Sequence, residues 1–205
     1  MPASLTDYNR GIYNCPNLTT ITVASGNAHF SVEGGNRLLY TADDGTKTLY
    51  AWPTAPAETT VPDGINTLKG TFWGNQTLTT VTLPESVTCI AQSAFAACPV
   101  LQTINLEHVT TIEKEGFYGD TSLKSATLSA HIESLEHRAF RDCTALETVC
   151  IAAENPPTLY SPSSKTTPFQ GCTALTRIEV PAASVAAYQA AEGWSTLADK
   201  IVGYE

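Results

Sequence analysis

A phenylalanine returns at Phe72, Phe95, Phe117 and Phe140, at intervals of 23, 22 and 23 residues. Six residues after each stands a leucine, namely Leu78, Leu101, Leu123 and Leu146. Nine and eleven residues after it comes an apolar pair: Val81/Leu83, Ile104/Leu106, Ala126/Leu128 and Val149/Ile151. Two further segments fit the same register, one through Ile12, Leu18 and Ile21/Val23, the other through Phe169, Leu175 and Ile178/Val180. A second apolar pair recurs at Ile65/Leu68, Val87/Ile90, Val109/Ile112 and Ile132/Leu135. A unit this short cannot offset the entropy of ordering itself, because its flanks stay wet until a neighbouring unit covers them. The repeat therefore dictates a stack in which homologous turns of chain bury their aliphatic residues in one continuous interior.

Within each unit the L-x-x-I-x-L alternation turns one side of a short strand inward, and stacking such strands gives a parallel sheet. Pattern and period together are those of a leucine-rich repeat. The fold expected is a leucine-rich-repeat solenoid, a right-handed β/α-type superhelix. Stretches such as Ser93 to Cys98, Ala-rich and brief, predict short helical or 3-10 corners.

The period is interrupted twice. Between Val23 and Val61 lie Phe30-Ser-Val32, Leu38-Leu-Tyr40, Asp43-Asp44-Gly45 and Leu49-Tyr-Ala-Trp52-Pro53. Asp-Gly between two aromatic-containing, β-prone runs signals a hairpin, since a turn matching strand twist needs positive φ. This insertion, at 24–60, is expected to project from the solenoid edge. A second insertion, Glu154 to Thr167, with Pro156-Pro157 and a Ser/Thr/Pro-rich stretch, reads as a loop. After Val180-Pro181 the Ala-rich segment from Ala182 to Gly193 predicts a short helix that lays Val185, Tyr188 and Trp194 over the last coil. The division expected is a solenoid over 1–180 and a C-terminal helical cap over 181–205. No matching cap precedes Ile12, so either further chain precedes Met1 or the first coil is covered otherwise.

Eleven Lys+Arg against twenty Asp+Glu give a net charge of −9, a field that repels phosphate backbones and argues against nucleic acid as a partner. No apolar run approaches the ~20 residues needed to cross a bilayer, so membrane insertion is not expected. The opening residues lack the basic and apolar regions of a signal peptide.

No set of residues assembles a nucleophile, a base and an orienting group, so no catalytic residue, metal site or cofactor is expected. Cys15, Cys98, Cys143 and Cys172 each follow a repeat anchor by three residues, where Asn75 and Asp120 fill the other coils. That register makes them small side chains packed at coil corners, and leaves open a bridge between Cys143 and Cys172 on adjacent coils. Cys89 and Cys150 fall where neighbouring coils carry polar residues. His29, His108, His131 and His137 show no metal-protease spacing. Asn17-Leu-Thr19 and Asn75-Gln-Thr77 match a glycosylation pattern but overlap the repeat's leucine segment.

The outward positions of the strands are the more informative: Thr20 and Thr22, Thr80 and Thr82, Thr103 and Asn105, Ser125 and Thr127, Thr148 and Cys150, Arg177 and Glu179. They form two polar ladders. Exposed β-branched threonine suits a strand surface for its own sake, and an uncharged face of this kind is also one on which a protein strand or a glycan could dock. Trp52 and Trp73 pose the same choice between packing at the hairpin base and stacking on a ligand.

Units such as Ala94-Phe-Ala-Ala-Cys98-Pro-Val-Leu101-Gln-Thr-Ile104-Asn-Leu106, the inserted Asn27-Ala-His-Phe30 to Trp52-Pro53 segment and the ending Val180-Pro181 to Glu205 resemble the BspA-like leucine-rich-repeat proteins of host-associated bacteria. The resemblance covers nearly the whole chain. It implies a secreted or cell-surface protein that binds a host or bacterial surface protein or glycan, as adhesins do. A structural spacer or assembly module of a larger envelope protein is the alternative.

Overall fold

The structure, a computed structural model, describes residues 1–6, 12, 15, 17–34, 36–160 and 167–205. Three antiparallel strands come first, β1 (Phe30–Glu33), β2 (Arg37–Thr41) and β3 (Lys47–Ala51). From there short strands alternate between two faces: β4 (Glu58–Thr60), β5 (Thr67–Leu68), β6 (Thr80–Thr82), β7 (Cys89–Ile90), β8 (Thr103–Ile104), β9 (Thr111–Ile112), β10 (Ser125–Leu128), β11 (Ser134–Glu136), β12 (Thr148–Ile151), β13 (Thr158–Tyr160) and β14 (Arg177–Pro181). The helix α1 (Val185–Ala190) and a last strand, β15 (Ile201–Tyr204), follow.

The L-x-x-I-x-L segments build the first face, in which β4, β6 and β8 pair in parallel, and so do β10, β12, β14 and β15. A parallel bridge from Leu106 to Leu128 joins the two groups. The second apolar pair of each unit builds the other face, where β5, β7, β9, β11 and β13 run parallel. Leu78, Leu101, Leu123 and Leu146 share one buried cluster with the inward residues of both faces. The chain is thus a parallel-sheet solenoid of leucine-rich-repeat type.

The third side of each coil is a corner built around its phenylalanine. Residues two before and two after the ring adopt left-handed backbone: Gly70 and Gly74, Ser93 and Ala97, Glu115 and Gly119, Arg138 and Asp142. Each corner contains successive i→i+3 bonds, such as Ala96 N–H to Ser93 and Cys98 N–H to Phe95. These are the 3-10-type turns expected there. They never merge into a continuous helix, because the left-handed residues break the run and swing alternate N–H groups toward the next coil. Phe72 N–H donates to Ala94 at 2.8 Å, Phe95 to Gly116 at 2.9 Å and Phe117 to Ala139 at 2.7 Å, a ladder of hydrogen bonds that runs beside the rings.

The rings themselves stack at 5.2, 5.2, 5.0 and 5.6 Å from Phe72 through Phe95, Phe117 and Phe140 to Phe169. A tryptophan closes each end of the column. Trp52 tilts onto Phe72 at 6.3 Å, and Trp194 onto Phe169 at 6.2 Å.

The insertion does not project from the solenoid edge as expected. Strand β3 pairs in parallel with β5, through Thr48 to Thr67 and Leu49 to Leu68, so the hairpin extends the second sheet. The asp-gly turn reads correctly, with Gly45 at φ 86° and its N–H donating to Ala42. Both faces of the inserted strands are apolar. Leu39 and Leu49 join the main core, whereas Leu38, Ala51 and Phe30 join Ile21 in a separate N-terminal cluster with Leu18 and Val23 packed against it. A strand with two apolar faces is stable only when covered on both, which is why it wedges between the first coil and the rest. Leu18, expected in the common interior, therefore lies outside it. Residues Glu58–Thr60, inside the expected insertion, already belong to the first sheet.

At the far end Tyr188 and Trp194 are fully buried and Val185 packs on the core. The Tyr188 hydroxyl donates to Ala153 at 2.9 Å and Trp194 Nε1 to Pro157 at 2.8 Å. Gly193, at φ 79°, reverses the chain between them, where a Cβ would come within 3.3 Å of the Leu159 side chain. Strand β15, which the sequence pattern did not suggest, then pairs with β14. Part of the second insertion, 161–166, falls outside the described residues.

Candidate interaction surface

The first sheet carries most of the outward residues singled out from sequence, and pairing fixes which of them are neighbours. Thr80 stands beside Thr103, Ser125 beside Thr148, Thr127 beside Cys150, Thr148 beside Arg177 and Cys150 beside Glu179. Their partners inward are Val81, Ile104, Ala126, Val149 and Ile178, all buried. Thr82, Thr103, Ser125, Thr127 and Arg177 are exposed, and Thr80, Asn105, Thr148, Cys150 and Glu179 half-buried.

Two members of the expected ladder are elsewhere. Thr20 and Thr22 flank Ile21 but pair with no strand among the described residues; the Met1 amino group bonds the Thr22 carbonyl, and Asn36, at the tip between β1 and β2, bonds the backbone beside Thr20. Asn36 Oδ1 accepts from Ile21 N–H at 2.6 Å and Asn36 Nδ2 donates to Thr19 at 2.8 Å. The ladder instead begins with Glu58 and Thr60, which register with Thr80 and Thr82. Asn105 is placed on the face but spends its amide in the same way, accepting from Leu83 N–H at 2.7 Å and donating to Leu83 carbonyl at 3.0 Å. An asparagine side chain carries one acceptor and one donor in the geometry of a peptide group, so it completes a ladder where the chain has turned away. Sequence alone did not separate Asn105 from a ligand-binding residue.

The face is uncharged from Thr60 to Thr148 and charged only at its ends, by Glu58 and by the Arg177–Glu179 pair at 2.8 Å. The second face differs. Glu113 accepts from Gln92 N–H at 2.9 Å and Glu136 from Lys114 N–H at 3.1 Å, placing carboxylates at the junction with the corners. Burial, and then Glu113, push the Cys89 thiol there up to about 12. Cys150 on the first face is raised by burial and then by Glu179, so it is a thiol at neutral pH.

The tryptophans separate. Trp52 keeps 8% of its surface and packs on Phe72 with the Arg37 guanidinium 5.0 Å from its ring, so the ligand contact considered for it is replaced by a place in the core. Trp73 is 37% exposed, one corner residue along from Phe72. It borders a cavity of about 120 Å³ lined also by Trp52, Pro53, Asn75, Gln76 and Thr77. A wider groove of about 590 Å³ lies between His131, Glu133, Glu154, Asn155 and Pro156. His137 lies at another corner, its imidazole held below the usual value by burial and by Arg138 and Lys114. Among the described residues no three His, Cys, Asp or Glu side chains come together as a metal-binding group, and no helix is long and apolar enough to cross a membrane.

At the corners, Cys98, Cys143 and Cys172 donate to the carbonyls of Phe72, Phe117 and Phe140 at 3.1, 2.9 and 3.0 Å, each the anchor of the preceding coil. Asn75 instead accepts from Thr77 and Leu78 N–H, both at 2.8 Å, and so shapes its own turn. Asp120 is completely buried in this column. Its Oδ1 accepts from Cys98 N–H at 2.8 Å, while Oδ2 has no partner among the described residues.

The sequence pattern of the BspA-type leucine-rich-repeat region matches residues 54–176 in six copies. No curated protein matches the chain. Among solved structures, a leucine-rich cell-surface protein of Faecalibacterium prausnitzii A2-165 is similar, with 25% identity and a TM-score of 0.66 over 94% of this chain and 48% of that one. The Treponema pallidum leucine-rich-repeat protein shares the fold at 19% identity and a TM-score of 0.66, covering 84% of this chain and 81% of its own. The pneumococcal vaccine antigen PcpA does so at 19% identity and a TM-score of 0.55, covering 91% of this chain and 50% of its own. This chain thus spans about half the length of the first and third of these proteins.

Proposed function

The chain belongs to the BspA-type leucine-rich-repeat family, and from that premise we propose that it is a non-enzymatic binding or adhesion module at the bacterial exterior, secreted or surface-attached. It recognises a surface protein or glycan, of host or bacterial origin, through the first sheet. The observation that carries this reading is the run of exposed and half-buried threonine and serine from Thr60 to Thr148, uncharged on a chain of net charge −9. Such a face repels neither partner sign and presents hydroxyls at the spacing of stacked strands, ~4.8 Å. The leucine-rich-repeat fold is in general a scaffold for binding rather than for catalysis, which fits the reading.

The test is a screen of the purified chain against host matrix proteins, a glycan array and bacterial surface components, followed by Thr103→Glu and Thr127→Glu. Each substitution adds a charge to the face while leaving the inward residues in place. Binding should weaken about tenfold, ~1.4 kcal/mol, while Thr111→Glu on the second face leaves it unchanged. A screen without a partner, or equal losses from both faces, refutes the assignment.

A second reading is favoured by β15, whose outer edge has no paired strand among the described residues. An open parallel edge templates further strands, so the chain would serve as a spacer or assembly module of a larger envelope protein. Concentration-dependent association of the purified chain through that edge would support it.

A further inference from the structure

Along the corner column the residues three after each ring are Asn75, Cys98, Asp120, Cys143 and Cys172. Asp120 separates Cys98 from the two cysteines that follow, and only Cys143 and Cys172 occupy consecutive coils. The two coils are joined rung by rung, with Phe140 N–H donating to Pro168 at 3.0 Å and Asp142 N–H to Gln170 at 2.9 Å. The Phe140 carbonyl is the point on which both cysteines converge: it accepts from Cys143 N–H at 3.2 Å and from the Cys172 thiol at 3.0 Å. The Cys172 sulfur therefore lies against the Cys143 backbone. Both thiols are unbridged, Cys143 buried and Cys172 half-buried. Stacked strands ~4.8 Å apart fall within the ~4.4–6.8 Å between Cα atoms that a disulfide spans.

We infer that Cys143 and Cys172 are a redox-active dithiol, which a disulfide-exchange oxidant closes into a covalent clamp on the last coil. Cys172 is the entry point because it alone reaches solvent. The Cys143 side chain beside it, and then the Cys143 backbone, hold Cys172 below the ordinary thiol value and favour the attacking thiolate. That thiolate attacks one sulfur of a small-molecule disulfide, forming a mixed disulfide and expelling one thiolate. Cys143 then gives up its proton and attacks the Cys172 sulfur, expelling the second. One protein disulfide forms, the oxidant is reduced to two thiols, and the two protein protons end on them. The Cys172 side chain beside it, and then burial, raise the Cys143 thiol, so the second step is the slower.

The experiment incubates the purified full chain with oxidised glutathione, quenches with acid, alkylates and digests beside Arg141, Glu147, Glu154 and Arg177, which puts Cys143, Cys150 and Cys172 on separate peptides. The expected product is two hydrogens lighter, with Cys143 linked to Cys172 and Cys98 and Cys150 still alkylated. Its Tm rises by roughly 10 °C, because the bridge closes a loop of about 30 residues in the unfolded chain, and dithiothreitol reverses both changes. In Cys143→Ser the reaction stops at the glutathione adduct of Cys172. The inference is overturned if the wild-type chain keeps both thiols, halts at that adduct, or links either cysteine elsewhere; these readings come from the wild-type protein and do not depend on the variant folding.

Discussion

Replacing Asp120 by asparagine should change how stability depends on pH more than it changes stability at any single acid pH. The carboxyl is completely buried, with one oxygen bonded to Cys98 N–H at 2.8 Å and the other without a partner among the described residues. Burial raises it well above its ordinary 3.8, and the Cys98 bond offsets only part of that. An acid whose folded value is raised contributes its full stability below 3.8, where both states hold the proton. As pH climbs from 3.8 toward the folded value, the unfolded chain ionises and the folded one does not. Each pH unit in that window then costs about 1.4 kcal/mol. Asn75 shows that a corner accepts asparagine at this register, and the amide oxygen of Asp120→Asn retains the bond to Cys98 while nothing titrates. The stability difference between variant and wild type should therefore grow by about 1.4 kcal/mol per unit above pH 3.8 and level off at the folded value. For a chain of this size each such increment moves Tm by about 2–4 °C. Urea unfolding followed by the fluorescence of Trp52, Trp73 and Trp194, between pH 3.5 and 7.5, measures it. Curves for the two proteins that run parallel across this range would show that Asp120 ionises alike in folded and unfolded chains, and the buried-acid argument would fail.

The ring column should couple only nearest neighbours. Leucine substitutions at Phe95 and Phe117, 5.2 Å apart with their rings nearly parallel, should show a coupling of about 0.5–1.5 kcal/mol in a double-mutant cycle. Phe72 and Phe117, two coils apart, should be additive within ~0.5 kcal/mol, and equal coupling in both pairs would contradict a stack of independent contacts. At the corner, Ala97 holds φ 58°, which costs an L-residue about 1–2 kcal/mol. Ala97→Gly should accordingly raise stability by about 1 kcal/mol after its greater unfolded-state entropy is subtracted. Gly119→Ala, at φ 75° with open space around a Cβ, should lower it by a similar amount in thermal unfolding.

Much of the candidate surface was legible because its residues sit in the repeat. Thr80, Thr103, Ser125, Thr127 and Thr148 alternate with inward aliphatic residues, and strand geometry alone turns them outward. The failures have local causes. Thr20 and Thr22 follow the same alternation, yet Asn36 bonds the backbone of Thr19 and Ile21, and the Met1 amino group bonds the Thr22 carbonyl. Asn105 has the exposure of a ligand-binding residue and the contacts of a backbone substitute. Trp52 differs from Trp73 through contacts with Phe72 and Arg37 that no spacing encodes.

The amino-acid order by itself determined the coil, its inward residues, its phenylalanine register, the asp-gly turn and the short helix after Val180, since each follows from side chains a few positions apart along one segment. The tertiary structure alone decided the lateral neighbours: β3 seated against β5, two apolar clusters where one was expected, Asp120 sealed among thiols, and β15 laid beside β14. A strand's periodicity states which side it buries. Which edge it fills depends on what else competes for that edge once the chain has closed on itself, and that competition is settled by hydrogen bonds and coverage between residues far apart in sequence.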